Sequence, residues 1–246
     1  MSTQGISLVA TSYNLGKEGI LDIILEAWCR QTVQADEYLL IDVMSTDNTV
    51  EVVEKYKDRI PVSIIHRKEN SNWSAGAIFF GMSHVAYDKS IICHAECLFK
   101  EDCIELMINN LSPNKMIRPG IYTVNSAATN SILNASSEDR WDIACAIGNH
   151  GMHPHSPLGF HPRPAWTAAF YTNRWAKGMQ ECPTISGYGP DDIWFQRNGE
   201  NIAPFEFLDM PLMAHLRHTM HDHALYTHPT ECQTVFEHEI PKCDRK

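Results

Sequence analysis

The sequence lacks the features of a membrane or secreted protein. It contains no run of about 18 apolar residues, so it predicts no membrane-spanning helix. Its opening stretch, "MSTQGISLVATSYN", has no basic region followed by an apolar one, and it is therefore not a secretion signal. From these absences we expect a cytoplasmic protein.

Basic charge is also scarce. The chain has 20 Lys and Arg against 30 Asp and Glu, which gives a net charge of −10. Proteins that grip nucleic acids do so mainly through Lys and Arg that neutralise phosphates. An acidic chain of this kind is a poor candidate for binding a nucleic-acid backbone.

Motifs that mark several other classes are missing. The eight cysteines include no C-x-x-C pair, which excludes a zinc ribbon and indicates reduced thiols used in packing. No G-x-G-x-x-G follows the first apolar strand, which disfavours a dinucleotide oxidoreductase. The 13 histidines include no H-E-x-x-H, which weakens the case for a metal-dependent hydrolase without removing it.

What the sequence does contain is an alternation of apolar strands and helical segments. The predicted strands are 6–14, 38–43, 61–67 and 90–99, and the helical segments between them lie in 18–32, 45–57 and 71–88. This order predicts an α/β domain with a mostly parallel sheet covered by helices. The second half is less regular, with a strand passing into a helix within 165–179. No linker or repeat interrupts the chain, so we expect one domain over 1–246.

Polar residues lie at the ends of the first two apolar segments. Segment 6–14 runs into a polar turn with Thr11, Ser12, Tyr13 and Asn14, and Asp42 lies at the end of the second strand in "YLLIDVMSTDNT". In open α/β sheets, ligands bind outside the carboxyl ends of the strands. The same residue types also favour turns for local reasons, so ordinary turn chemistry is the alternative.

The predicted strand "SIICHAECLF" carries an imidazole and a carboxylate. His94 and Glu96 are two residues apart, so in a strand they point to the same side. This pair suits Mn²⁺ or a similar divalent ion. The alternative is a partly exposed strand end that binds nothing.

Two further groups lie in the second half. Asp191 and Asp192 follow a Gly-rich approach and open a predicted short helix, where carboxylates either stabilise the helix N-terminus or act as a general base. His215 and His218 lie three residues apart and are candidate metal ligands.

Taken in order, these segments resemble glycosyltransferases of family 2 with the GT-A fold. The resemblance covers about residues 6–218 and is carried by "TSYN", "IDVMSTDNT", "HAE", "GYGPDDIWFQR" and "HLRH". It implies a single GT-A domain over 1–246, with a nucleotide-binding half in 1–100 and an acceptor and catalytic half in 101–246.

The resemblance also implies a reaction. A hexose would move, with inversion, from a nucleotide-diphosphate donor, a UDP-sugar before others, to a hydroxyl acceptor. A divalent metal, Mn²⁺ or Mg²⁺, would assist. The acceptor would be a glycan or small molecule in preference to a nucleic-acid base. A metal-dependent hydrolase and a non-catalytic relic that binds a nucleotide or sugar are the alternatives.

Residue roles follow from the same resemblance. The donor would contact Thr11, Tyr13 and Asp42, together with His94 and Ala95. The metal ligands would be Glu96, His215 and His94, with His218 as the alternative to His215. The base would be Asp192, or else Asp191. The chain departs from the family pattern at Val43 and Met44, which replace an acidic residue and a glycine, and at H-A-E, which replaces D-x-D.

Overall fold

The computed structural model describes residues 3–67, 73–147, 167–178 and 203–217. Within these residues eight strands form one sheet, in the order β3-β2-β1-β4-β7-β6-β8-β5. The strands are β1 (Thr3–Ser12), β2 (Glu37–Asp42), β3 (Val62–His66), β4 (Tyr87–His94), β5 (Cys97–Phe99), β6 (Met116–Val124), β7 (Ala168–Tyr171) and β8 (Phe205–Leu216). The helices are α1 (Ile20–Cys29), α2 (Thr49–Glu54), α3 (Trp73–Met82), α4 (Cys103–Asn109), α5 (Ser126–Leu133), α6 (Arg140–Ile147) and α7 (Thr172–Gly178).

The first four strands are parallel neighbours, as the alternating sequence predicts. β1 pairs with β2 on one side and with β4 on the other, and β2 pairs with β3. The pairs Ser12↔Asp42, Asp42↔His66 and Thr11↔His94 place the ends of the four strands at almost the same level. Their carboxyl ends therefore form one polar edge.

Each face of this parallel sheet is covered by an apolar layer, because successive side chains alternate in direction. Leu8 and Leu40 face the layer that contains Trp28 of α1. Val9 and Ile41 face the opposite layer. The helices are stabilised mainly by burial of their apolar faces against the sheet, because short helices have little stability on their own.

The predicted strand 90–99 is wrong as a single strand. The chain forms β4, turns at Ala95 and Glu96, and continues as the short strand β5. The turn is fixed on both sides, because Ala95 N–H donates to Thr11 O at 2.9 Å and Leu216 N–H donates to Glu96 O at 3.0 Å. β5 then pairs with β8 rather than extending the pairing with β1.

The second half of the sheet is mixed. β7 runs antiparallel to β4 and β6, whereas β8 runs parallel to β6 and antiparallel to β5. The predicted passage from strand to helix within 165–179 is confirmed as β7 and α7. β8 ends at the same edge as the parallel strands, and it brings His215 to the polar edge.

The described cysteines serve packing. Cys93, Cys97 and Cys103 are buried free thiols in the core, and burial raises the pKa of each well above its usual value. A buried neutral thiol behaves as a small apolar residue. In the portion of the chain that the structure describes, no helix is long and apolar enough to cross a membrane.

Gly16 lies where two backbone segments approach closely. A Cβ added there would stand 2.6 Å from Thr49 N and 2.7 Å from the carbonyl carbon of Asn48. We therefore expect Gly16→Ala to lower the free energy of unfolding by about 1–3 kcal/mol, as overpacking against rigid atoms does. Urea denaturation checks this, with the exposed neighbour Lys17→Ala as the control. Equal unfolding midpoints for the two variants would contradict the close approach.

Candidate active site

Hydrogen bonds join the loop after β1 to the loop after β2. Asn14 N–H donates to Ser45 Oγ at 2.8 Å, and Asn14 Oδ1 accepts from Thr46 N–H at 2.8 Å. Lys17 N–H donates to Asp47 Oδ2 at 2.9 Å. We call these two segments, 14–17 and 45–49, the loop clamp. The turn "STDNT" thus has a structural role, which is to fix both loops beside the polar edge.

Asp47 is the charged centre of the loop clamp. Burial alone would raise the pKa of Asp47, but hydrogen bonds from the Thr49 hydroxyl and from backbone N–H groups, including that of Lys17, hold its pKa below the usual value. The Oδ1 atom accepts from Thr49 Oγ1 at 2.6 Å and from Thr49 N at 3.1 Å, at the start of α2. The carboxylate of Asp47 therefore stabilises the loops more strongly in its ionised form than in its protonated form.

Asp42 lies at the centre of the polar edge and is only 1% exposed. Its Oδ2 accepts from Ser45 N–H at 3.2 Å and lies 3.0 Å from His66 Nδ1. Its Oδ1 makes no hydrogen bond with the described residues, and neither does Ser12 Oγ on the adjacent strand end. Buried polar groups are normally paired, and an unpaired one often marks a functional site.

Met44 follows Asp42 in an unusual conformation. Its φ is 61°, in the left-handed region, which costs a residue with a side chain roughly 1–2 kcal/mol. Its side chain is 50% exposed. Asn14, in the facing loop, has φ 51°, but asparagine tolerates this region well.

The end of β4 adds a second group of residues. Thr11 Oγ1 lies 3.3 Å from His94 Nδ1, as the pairing of β1 with β4 dictates. Tyr13 is half-buried in the loop that follows. Ala95 is 0% exposed, with its side chain in the core and its N–H bonded to Thr11 O, and its predicted contact with the donor stays a prediction.

The turn after β4 brings together residues that are far apart in sequence. Because His215 pairs with Cys97, its Nε2 lies 3.3 Å from Glu96 Oε1. The rings of His94 and His215 are 6.2 Å apart. The three predicted metal ligands Glu96, His94 and His215 therefore lie in one neighbourhood.

The side chains of His94, Glu96 and His215 are of the types that bind divalent metal ions. Two imidazoles and one carboxylate suit Mn²⁺ and similar ions. As the side chains stand, no three His, Cys, Asp or Glu residues among those described form a cluster close enough to hold an ion. Asp191, Asp192 and His218 lie outside the described residues, so their predicted roles stay predictions.

Sequence reasoning named Ser12 together with Asp42 among the strand-end residues, but it missed His66 as a neighbour of Asp42. His66 ends β3 as Asp42 ends β2, and the two are paired in the sheet. A signal was present, because each of these polar residues directly follows an apolar strand that was itself predicted. Applying the strand-end rule to the third strand identifies His66.

A cavity of about 460 Å³ lies elsewhere, between α1, β5 and α6. Its lining includes five acidic and three basic side chains. The basic groups are already paired, as in Arg30 with Glu101 and Arg140 with Glu26. A net negative lining repels a diphosphate, so the polar edge is the better candidate for a nucleotide site.

The chain has a mixed α/β fold of the GT-A type, and the polar edge is its candidate site. The chain belongs to glycosyltransferase family 2, whose sequence model, described as "Glycosyl transferase family 2", matches residues 7–151. A comparison with curated protein sequences gives no match.

Solved structures agree with this assignment. The S. aureus protein TarS, as a 1–349 fragment in complex with UDP-GlcNAc, is 13% identical, with a TM-score of 0.61 over 87% of this chain and 59% of that chain. The mannosyltransferase PcManGT from Pyrobaculum calidifontis, in complex with GDP-Man and Mn²⁺, is 16% identical, with a TM-score of 0.52 over 88% of this chain and 56% of that chain. The chain spans less than two thirds of either neighbour, and the likeness establishes the fold.

Removing the charged centre of the loop clamp tests its role. We expect Asp47→Ala to lower the free energy of unfolding at pH 7 by about 1 kcal/mol, as loss of a capping carboxylate does. Because the folded-state pKa of Asp47 is lowered, its contribution is complete above the unfolded pKa and is lost as the pH falls through the folded pKa.

The difference in the free energy of unfolding between the wild type and Asp47→Ala should therefore become smaller below about pH 4. Urea midpoints measured across this range check the expectation, with the exposed Glu51→Ala as control. A difference that grows as the solution becomes more acidic would contradict the assignment.

Proposed function

We propose that this protein is a metal-dependent, inverting glycosyltransferase that moves a hexose from a nucleotide-diphosphate sugar to a hydroxyl acceptor. The observation that carries the proposal is that Asp42, on one side of β1, and the group His94, Glu96 and His215, on its other side, lie at the same polar edge of the sheet. Membership of family 2 supports the reaction class. The neighbours' complexes with UDP-GlcNAc and GDP-Man support a nucleotide-sugar donor.

The nucleoside would bind at the ends of β1 and β2. Asp42 has one carboxylate oxygen without a partner among the described residues, and a base N–H or ribose hydroxyl can donate to it. Thr11, near the end of β1, and Tyr13, in the loop that follows, would flank this position. The loop clamp holds these groups in place before the donor arrives, which reduces the entropy lost on binding.

The diphosphate would lie toward the turn after β4. Glu96, His215 and His94 would hold a divalent ion there. Such an ion would neutralise the charge on the leaving diphosphate.

The base would be Asp192, with Asp191 as the alternative. It takes the proton from the acceptor hydroxyl as the oxygen forms a bond to the anomeric carbon, while the bond from that carbon to the diphosphate breaks. Attack from the opposite side inverts the configuration. A carboxylate within hydrogen-bond distance of the hydroxyl is enough for this role.

Turnover tests the proposal directly. Purified protein is incubated with UDP-, GDP- and dTDP-sugars, Mn²⁺ and a panel of glycans and small alcohols, and release of the nucleoside diphosphate is followed. We expect release from one donor class, accelerated by an acceptor. Nucleotide binding without turnover would favour a non-catalytic relic, and metal binding without nucleotide binding would favour a hydrolase.

Glu96→Gln tests the metal site. We expect the Mn²⁺-dependent gain in UDP affinity to fall by about 10-fold or more, because a neutral amide is a poor ligand for a hard cation. Calorimetric titration of UDP with and without Mn²⁺ measures this gain, and the exposed Glu54→Gln is the control. An unchanged Mn²⁺ dependence would refute the role of Glu96.

Asp192→Asn and Asp191→Asn, made separately, test the base. We expect one of them to lower kcat by about 100-fold or more, as loss of general base catalysis does. Affinity for UDP should stay within about twofold, because the change removes a proton acceptor and not a donor contact. Asp58→Asn on the surface is the control. Full activity in both variants would show that the base lies elsewhere.

A further inference from the structure

Two unfavourable features coincide at Met44. Its backbone is in the left-handed region, with φ 61°, and its apolar side chain is 50% exposed. Among the described residues, Met210 is the other large apolar side chain with comparable exposure, at 43%, and its backbone is in strand β8. Strain that persists at a candidate site is a reason to ask what the residue does there.

The backbone conformation is explained by the turn and does not require a methionine. Val43 N–H donates to Ser12 O at 2.9 Å, and Ser45 N–H donates to Asp42 Oδ2 at 3.2 Å. These two bonds force the chain to reverse at position 44. Glycine adopts such a conformation without strain, so the turn alone does not account for a long side chain.

The position of Met44 accounts for the side chain. It lies two residues beyond Asp42, whose unpaired oxygen marks the nucleoside end of the proposed donor site. A methionine is unbranched and polarizable, and its sulfur makes favourable contacts with aromatic rings. The ligand proposed for this edge carries an aromatic ring in its nucleobase.

We propose that Met44 is a binding residue for the nucleobase, and that its thioether packs against the ring while Asp42 accepts a hydrogen bond. This inference rests on the proposed function. The contact adds affinity for the base and not for the diphosphate. It also gives the exposed side chain of Met44 a role that glycine, which would relieve the strain, could not fill.

Met44→Gly separates binding from folding. We expect its melting temperature to be no lower than that of the wild type, because relief of strain offsets the greater freedom of glycine in the unfolded chain. We expect its affinity for UDP, measured by calorimetry with Mn²⁺, to fall by about 3- to 10-fold. If GDP binds the wild type more tightly than UDP does, GDP replaces UDP in these titrations.

Titration with inorganic diphosphate is the second part of the test. Because it lacks a base, its affinity should be the same in the wild type and in Met44→Gly. Met44→Ala keeps the backbone strain but shortens the side chain, and it should weaken the binding of UDP as well. Met210→Ala should leave the binding of UDP unchanged. Unchanged UDP affinity in both Met44 variants, or an equal loss for UDP and inorganic diphosphate, would overturn the inference.

The two proposals fail in different ways. If the wild type binds no nucleoside diphosphate, the proposed function and this inference are both wrong. If the wild type binds one and the Met44 variants bind it equally well, only the role of Met44 is wrong.

Discussion

The hydrogen bonds of the loop clamp are the interaction on which the candidate site depends. The side chains of Asn14, Ser45 and Asp47 connect the two loops, and Gly16 N–H adds a hydrogen bond to Thr49 Oγ1. Loops carry function but are the most mobile parts of a domain, so a site built on them needs such fixing. With the loops joined, Asp42 and Met44 have fixed positions relative to the end of β1. The charge on Asp47 belongs to this structural role and need not touch a ligand.

The mixed half of the sheet adds a second carboxylate to the polar edge, which the parallel half lacks. The parallel strands end in hydrogen-bonding groups but carry only one carboxylate, Asp42, at the level of the edge. The turn at Glu96 and the return of β8 add a second carboxylate and the imidazole of His215. One end of the site is thus suited to a nucleoside and the other to a charged diphosphate. This division follows from sheet topology, because each end is built from a different set of strand pairings.

The sequence predicted the parallel half well, because its strands are apolar runs followed by polar turns. Thr11, Asp42 and His94 could be placed at the edge for this reason. The break between β4 and β5 could not be predicted, since it depends on pairing with β8, more than a hundred residues away. The left-handed conformation of Met44 is not signalled by the methionine itself, but the family pattern, which has a glycine at this position, indicates it. The roles of Asp191 and Asp192 rest on the family resemblance and stay predictions.

The central claim is that the polar edge binds a nucleoside diphosphate. The most direct test is a thermal-shift screen of the wild-type protein with UDP, GDP, dTDP and CMP, each with and without Mn²⁺. A ligand that binds only the folded state raises the melting temperature by mass action. The account predicts a rise with one nucleoside diphosphate that becomes larger when Mn²⁺ is added. No rise with any nucleotide, beside a rise with Mn²⁺ alone, would contradict it.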